Sequence, residues 1–156
     1  MWPAIGVTSA VSANTHVQPQ HPHAVTRGTS CALPRNVPSR GQELRDRTRR
    51  FALDIVRLVA RLPRGMVVDA VARQLSRAGT GIAANHRAAC RARSRREFTA
   101  RLAVALEEAD EAEYWLSVLR DGQLAPLALV DPCYREAQEL RAILMASVRT
   151  ARSSVS

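Results

Sequence analysis

Four apolar seams, each spaced for a helix and none for a strand, constrain this chain more than any other feature. Leu44, Thr48, Phe51, Ile55, Leu58 and Leu62 recur at alternating steps of four and three, which lines them up on one helical face. Pro63 and Gly65 close that segment. Val71, Leu75, Ala78, Ile82, Asn85 and Ala89 form the seam of a second helix, expected from Val67 to Ala92. Ser94-Arg-Arg-Glu97 has the form of a capping box. It opens a third helix with Phe98, Leu102, Ala105, Ala109, Ala112, Leu116 and Leu119 facing inward. Gly122 is expected to end that helix as a left-handed residue. Asp131-Pro132 reads as an N-cap followed by proline at the first helical position, and Cys133, Ala137, Leu140, Leu144 and Val148 make the fourth seam. The connections are mostly short, so the fold class is all-α, an up-down-up-down four-helix bundle.

Residues 1–41 follow no such pattern. They hold most of the prolines and three of the four histidines, and their apolar residues have no period. The segment is expected to be a disordered N-terminal tail, unable to bury enough surface to offset its ordering entropy. The domain division is therefore 1–41 tail and 42–156 four-helix bundle. His21 and His23 lack the further ligands a metal site needs.

Charge narrows the class of partner. The formal net charge is +9, from 23 basic and 14 acidic residues, and every basic residue is arginine. Guanidinium keeps its charge and grips phosphate in a fork, so a polyanion is the natural partner. The charge is uneven: residues 42–101 sum to +10 and residues 102–156 to −4. Arg73, Arg77, Thr80, Ala84, Arg87 and Arg91 fall within about 80° of one another on a helical wheel, opposite the apolar seam. Arg93, Arg95 and Arg96 extend this stripe past the helix end. No acid lies on it, and a solvated arginine face is the plainer alternative. Without interleaved aromatics it suits phosphate contacts with weak sequence specificity.

The acidic run Glu107, Glu108, Asp110, Glu111, Glu113 does not make a di-metal site, because no histidine follows at the spacing such bundles use. It is expected to meet arginines, within the subunit or across an interface. No nucleophile–base pair appears, Gly79-Thr80-Gly81 lacks the lysine of a P-loop, and the fourth helix has no histidine for a helical-bundle ribonuclease motif. The chain is expected not to be an enzyme and to use no cofactor and no metal. Cys31, Cys90 and Cys133 show no C-x-x-C spacing, which fits a reducing compartment. With no long apolar run and no signal-peptide pattern, a cytoplasmic protein is expected.

Gly79 and Gly81 interrupt the second helix, where each costs about 1 kcal/mol against alanine. Backbone is expected to approach backbone there, as an assembly contact. Leu53, Val56, Val67, Val68, Leu106, Tyr114 and Trp115 project off the seams, and such surface marks assembly sites. The expectation is a homo-oligomer with Gly79, Gly81, Asn85, Tyr114 and Trp115 at its interface. His86 sits one residue past the seam, as a boundary or interface residue.

The runs Arg77-Ala-Gly-Thr-Gly-Ile-Ala-Ala-Asn85 and Ala88-Ala-Cys-Arg-Ala-Arg-Ser94, with the acidic run through Leu116, resemble a bacterial four-helix-bundle family. That family is known from intervening sequences of large-subunit ribosomal RNA genes and is related to the accessory variability protein of diversity-generating retroelements. Its pattern reads Arg-Ser-Gly-Thr-Ser-Ile-Gly-Ala-Asn, so Gly81 stands for a serine and Ala83 for a glycine. The resemblance spans Leu44 to Thr150. It implies a bundle, often a five-fold ring or pentamer, with nucleic acid or a reverse transcriptase as partner. Two functions follow as expectations: a nucleic-acid (RNA or DNA) binding module, or an accessory interaction scaffold for a retroelement reverse transcriptase.

Overall fold

In the computed structural model the described residues are 40–153, and they form four helices: α1 Arg40–Arg61, α2 Met66–Ala89, α3 Arg95–Asp121 and α4 Leu127–Ser153. The expected tail, with His21, His23 and Cys31, lies outside the described residues, except that Arg40 and Gly41 already belong to α1. α2 packs on α1 and α3, α4 packs on α3, and the α1–α4 junction is the sparsest. Consecutive helices run antiparallel: Ile55 faces Gly79, Glu108 faces Gly81, and Arg120 lies over the Tyr134 ring at 4.2 Å.

The four seams are the core. Phe51, Ile55, Leu75, Ile82, Leu102, Leu116, Leu119, Leu140 and Leu144 are almost completely buried. Where α2 meets α3 the buried residues are small, Ala78, Ala105, Ala109 and Ala112, so these two helices approach more closely than leucines would allow. Val68, Leu106 and Trp115 fold back against the core rather than standing free, whereas Leu53, Val56, Val67 and Tyr114 are exposed as expected.

Several local expectations are corrected. α2 stops at Ala89, not Ala92; Arg91 and Ala92 bond back three residues, to the Ala88 and Ala89 carbonyls. α4 starts at Leu127 rather than after Asp131, because the Leu129 and Val130 amides bond the Pro126 carbonyl and buried Val130 anchors this extra turn. Pro132 is therefore inside the helix. His86, not Asn85, is the buried polar residue on the α2 seam. From Ile82, His86 is displaced by about 40° and Asn85 by about 60° in the other direction, and the buried arc of α2 takes in the first. Asn85 stays half-buried and donates from Nδ2 to the Gly81 carbonyl at 3.0 Å.

Half of the capping box forms as expected: Ser94 Oγ accepts from the Glu97 amide at 3.1 Å, while Glu97 reaches one residue further back and accepts from the Arg93 amide at 3.0 Å rather than from that of Ser94. At the other end of α3 the left-handed residue is Gln123 (φ 53°), not Gly122, which stays right-handed. Leu124 donates to the Leu119 carbonyl and Gln123 to that of Arg120, the paired bonds of a Schellman motif. A side chain in the left-handed region costs about 1 kcal/mol, so Gln123→Gly is expected to raise the melting temperature by about 5 °C. An unchanged calorimetric melt would contradict this account of the turn.

Candidate nucleic-acid interface

The geometry of α2 follows from its glycines. Gly79 is buried against α1: a Cβ there would lie 2.7 Å from Ile55 Cγ1 and 3.0 Å from Ile55 Cβ. Gly81 points toward α3, where a Cβ would meet the Glu108 carboxyl at 2.7 Å. The close approach expected of the pair is thus made within one chain, to two different helices. Between these contacts, on the outer side of α2, runs the arginine stripe.

The stripe is not uniform. Arg77 lies on the α3 side and its Nη2 donates to both Glu111 carboxylate oxygens at 2.9 Å, while Glu111 also accepts from Trp115 Nε1 at 3.2 Å. The expectation of an acid-free stripe is corrected here, because the acid comes from another helix. Arg73 and Arg87 make no ion pair among the described residues. Arg87 lies on the α1 side and shares a shallow groove with Arg45 and Arg49, floored by Ala83 and Ala84 and edged by Gln42 and Asp46. Arg91 lies in the turn after α2, and exposed Arg93, Arg95 and Arg96 continue around it next to Phe98.

Arg45 and Arg49 are the residues that reading the sequence missed. On α1 they look like part of a charged outer face, and only antiparallel pairing of α1 with α2 brings them to Arg87. Arg45 also acts inward. His86 is held below its ordinary pKa chiefly by burial and secondarily by the Arg45 charge, and its Nδ1 is buried without a hydrogen-bond partner.

Of the residues expected at an oligomer interface, Gly79 is enclosed by α1, Gly81 and Asn85 are half-buried, and Tyr114 is exposed with its ring edge-on to half-buried Trp115 at 5.0 Å. The acidic run is largely consumed inside the chain. Glu111 takes Arg77, and Glu113 and Asp110 take Arg141 of α4. Glu108 differs: Oε2 is buried and unpartnered, and burial raises its pKa against the opposing pull of Arg77, with Glu111 and Glu107 adding to the rise. Burial pushes the Cys133 thiol up to about 11, so it packs as a small apolar group. Among the described residues no cluster of His, Cys, Asp and Glu is arranged to hold a metal, and no helix is long and apolar enough to cross a membrane.

The family model of the 23S rRNA-intervening sequence protein matches residues 41–146. The chain belongs to that family. A crystal structure of a protein of unknown function from the S23 ribosomal protein family of Bacteroides thetaiotaomicron is similar at 29% identity with a TM-score of 0.61. The match covers 70% of this chain and 97% of that one. No curated protein matches. The four-helix architecture is thus that of an intervening-sequence protein, and the family pattern at Arg77–Asn85 falls where α2 meets both of its neighbours.

Proposed function

We propose that this intervening-sequence family member is a non-enzymatic, oligomeric nucleic-acid-binding bundle of the cytoplasm. The observation that carries the reading is the set of arginines without ion pairs on the α1–α2 side: Arg87 with Arg45 and Arg49 across the groove, and Arg73 about four turns away along α2. On α3 and α4, Arg120 and Arg141 meet carboxylates. Unpaired, exposed guanidinium groups are poised for phosphate, and the absence of exposed aromatic rings among them favours backbone contact over base readout. Exposed Leu53, Val56 and Tyr114 support assembly of copies, the pentamer of the resemblance being one arrangement.

Neutralising Arg73, Arg77, Arg87 and Arg91 together as glutamines is expected to weaken RNA binding. It should also reduce the slope of log affinity against log salt by about 0.9 for each duplex phosphate that the variant no longer neutralises. Arg77 should contribute least, since Glu111 already holds it. Wild-type affinity and slope in the quadruple variant would defeat the reading. A second reading, an accessory scaffold for a reverse transcriptase, is favoured by exposed Tyr114 beside Trp115, a residue pair typical of protein interfaces. A reverse-transcriptase gene with a repeat pair beside this one would select it; a position inside a ribosomal RNA gene would select the first.

A further inference from the structure

The antiparallel order of the helices gathers charge that the chain disperses. The start of α1, the α2–α3 turn with its flanking residues and the end of α4 all lie at one end of the bundle. Those stretches, residues 40–50, 84–104 and 144–153, hold thirteen arginines and three acids, a formal +10. The remaining residues from 51 to 143 hold eight arginines and eleven acids, a formal −3. The pairing pattern divides the same way. Away from this end, five of the eight arginines meet carboxylates: Arg57, Arg64, Arg77, Arg120 and Arg141. At this end, among the described side chains, Arg47 alone does so.

Helix dipoles do not produce this polarity. Two N-termini and two C-termini share the end, so their partial charges of about half a unit each cancel. The field comes from side chains, and exposed Arg87, Arg91, Arg93, Arg95, Arg96 and Arg101 stand on successive positions around it. With helix axes about 10 Å apart, the end is about 20 Å across, wider than the Debye length of about 8 Å at physiological salt. Opposite rims of the patch therefore act on different phosphates rather than on one.

We infer that this arginine-rich end, rather than the length of the α2 stripe, receives the phosphate backbone of a double-helical nucleic acid. The inference rests on the nucleic-acid reading above and moves its contact surface. A double helix is the occupant because the exposed aromatic residue, Tyr114, lies in the other half. Among the described residues the aromatic ring at the arginine end, Phe98, is half-buried and packed against the core, so no freely exposed ring stands there to stack unpaired bases, which is what single-strand binding uses. Guanidinium groups spread over the whole end match a backbone of evenly spaced charge.

The test compares the full chain with three variants on a short RNA duplex and its separated strand, titrated across salt concentrations. Arg91, Arg93, Arg95 and Arg96 to Gln removes the turn charges. These side chains are exposed, and glutamine is at least as favourable in a helix's first turn, so helicity and melting should be preserved. Duplex affinity is expected to fall at least tenfold and the salt slope by about 3. Arg57→Gln with Arg61→Gln, exposed on α1 at the opposite end, is expected to leave affinity unchanged, and Arg73→Gln with Arg77→Gln is expected to cost less than the turn variant, since at most about one or two phosphates are at stake. Should the turn variant misfold, Arg149→Gln with Arg152→Gln on α4 reads the same end and should lower the slope by about 1 to 2. If Arg73 and Arg77 carry the affinity instead, the end assignment falls and the nucleic-acid reading stands. Tighter binding of the single strand would overturn the double-helix occupant. Absence of any salt-dependent binding would overturn both.

Discussion

Gly79→Ala and Gly81→Ala are expected to move stability in opposite directions. Both substitutions gain about 1 kcal/mol of helix propensity, so packing decides the sign. At position 79 the new methyl meets Ile55 at 2.7 Å and 2.8 Å from its γ carbons and 3.0 Å from Cβ. A Cβ is fixed to the backbone, and no rotamer of a β-branched residue clears it. α1 and α2 must therefore separate, and overpacking of this kind costs about 1–3 kcal/mol or more. The alanine variant should melt about 5 °C lower, and Gly79→Leu should lose much of its helical signal. At position 81 the obstacle is the carboxyl end of Glu108. That group swings into water at little cost, and doing so relieves an oxygen now buried without a partner. Gly81→Ala should melt about 5 °C higher. Thermal melts by circular dichroism check both, and equal shifts for the two alanines would refute the assignment of one glycine to each neighbouring helix.

The bundle itself was legible because a core needs only correct spacing, and every seam residue from Phe51 to Val148 apart from Asn85 and Phe98 is buried. What spacing hides is drift and pairing. A heptad register slips by about 20° per seven residues against a straight helix, enough to exchange Asn85 for His86 on α2. Proline at 132 looked like a helix start because the chain before it gives no local sign that Val130 is held in the core. Gly122 looked like the left-handed residue because glycine tolerates that conformation, yet the α3 turn places Gln123 there. At Gly122 a Cβ would meet the Val118 carbonyl oxygen at 2.7 Å, so the glycine answers a close approach instead. The basic surface was half legible: Arg87 was visible on its helix, but its neighbours Arg45 and Arg49 come from a different helix, α1, and the capture of Arg77 by Glu111 depends on α3.

His86→Leu is expected to stabilise the bundle at neutral pH and to change how it responds to acid. The imidazole is 5% exposed and its Nδ1 finds no partner. An unsatisfied buried polar atom costs about 1–3 kcal/mol, which leucine of similar bulk avoids, so the variant should melt about 5–10 °C higher at pH 7. Burial, reinforced by Arg45, holds the native His86 below its ordinary value of 6.5. Above 6.5 both native and unfolded chains carry it neutral and its contribution is fully present. Below 6.5 the unfolded chain takes up a proton that the native bundle refuses, so stability falls until the folded value is passed. Glu108 works in the opposite sense. Burial raises it above 4.5, so its contribution is complete below 4.5 and is lost as pH rises through the folded value. Between pH 7 and 5 the wild-type chain should therefore lose more stability than His86→Leu, which retains only the Glu108 dependence and should be flat or gain slightly on acidification. Adding Gly81→Ala, which turns Glu108 out into water, should flatten what remains. Calorimetry of the three chains at both pH values tests the set; the histidine assignment fails if His86→Leu keeps the wild-type slope or melts lower at pH 7.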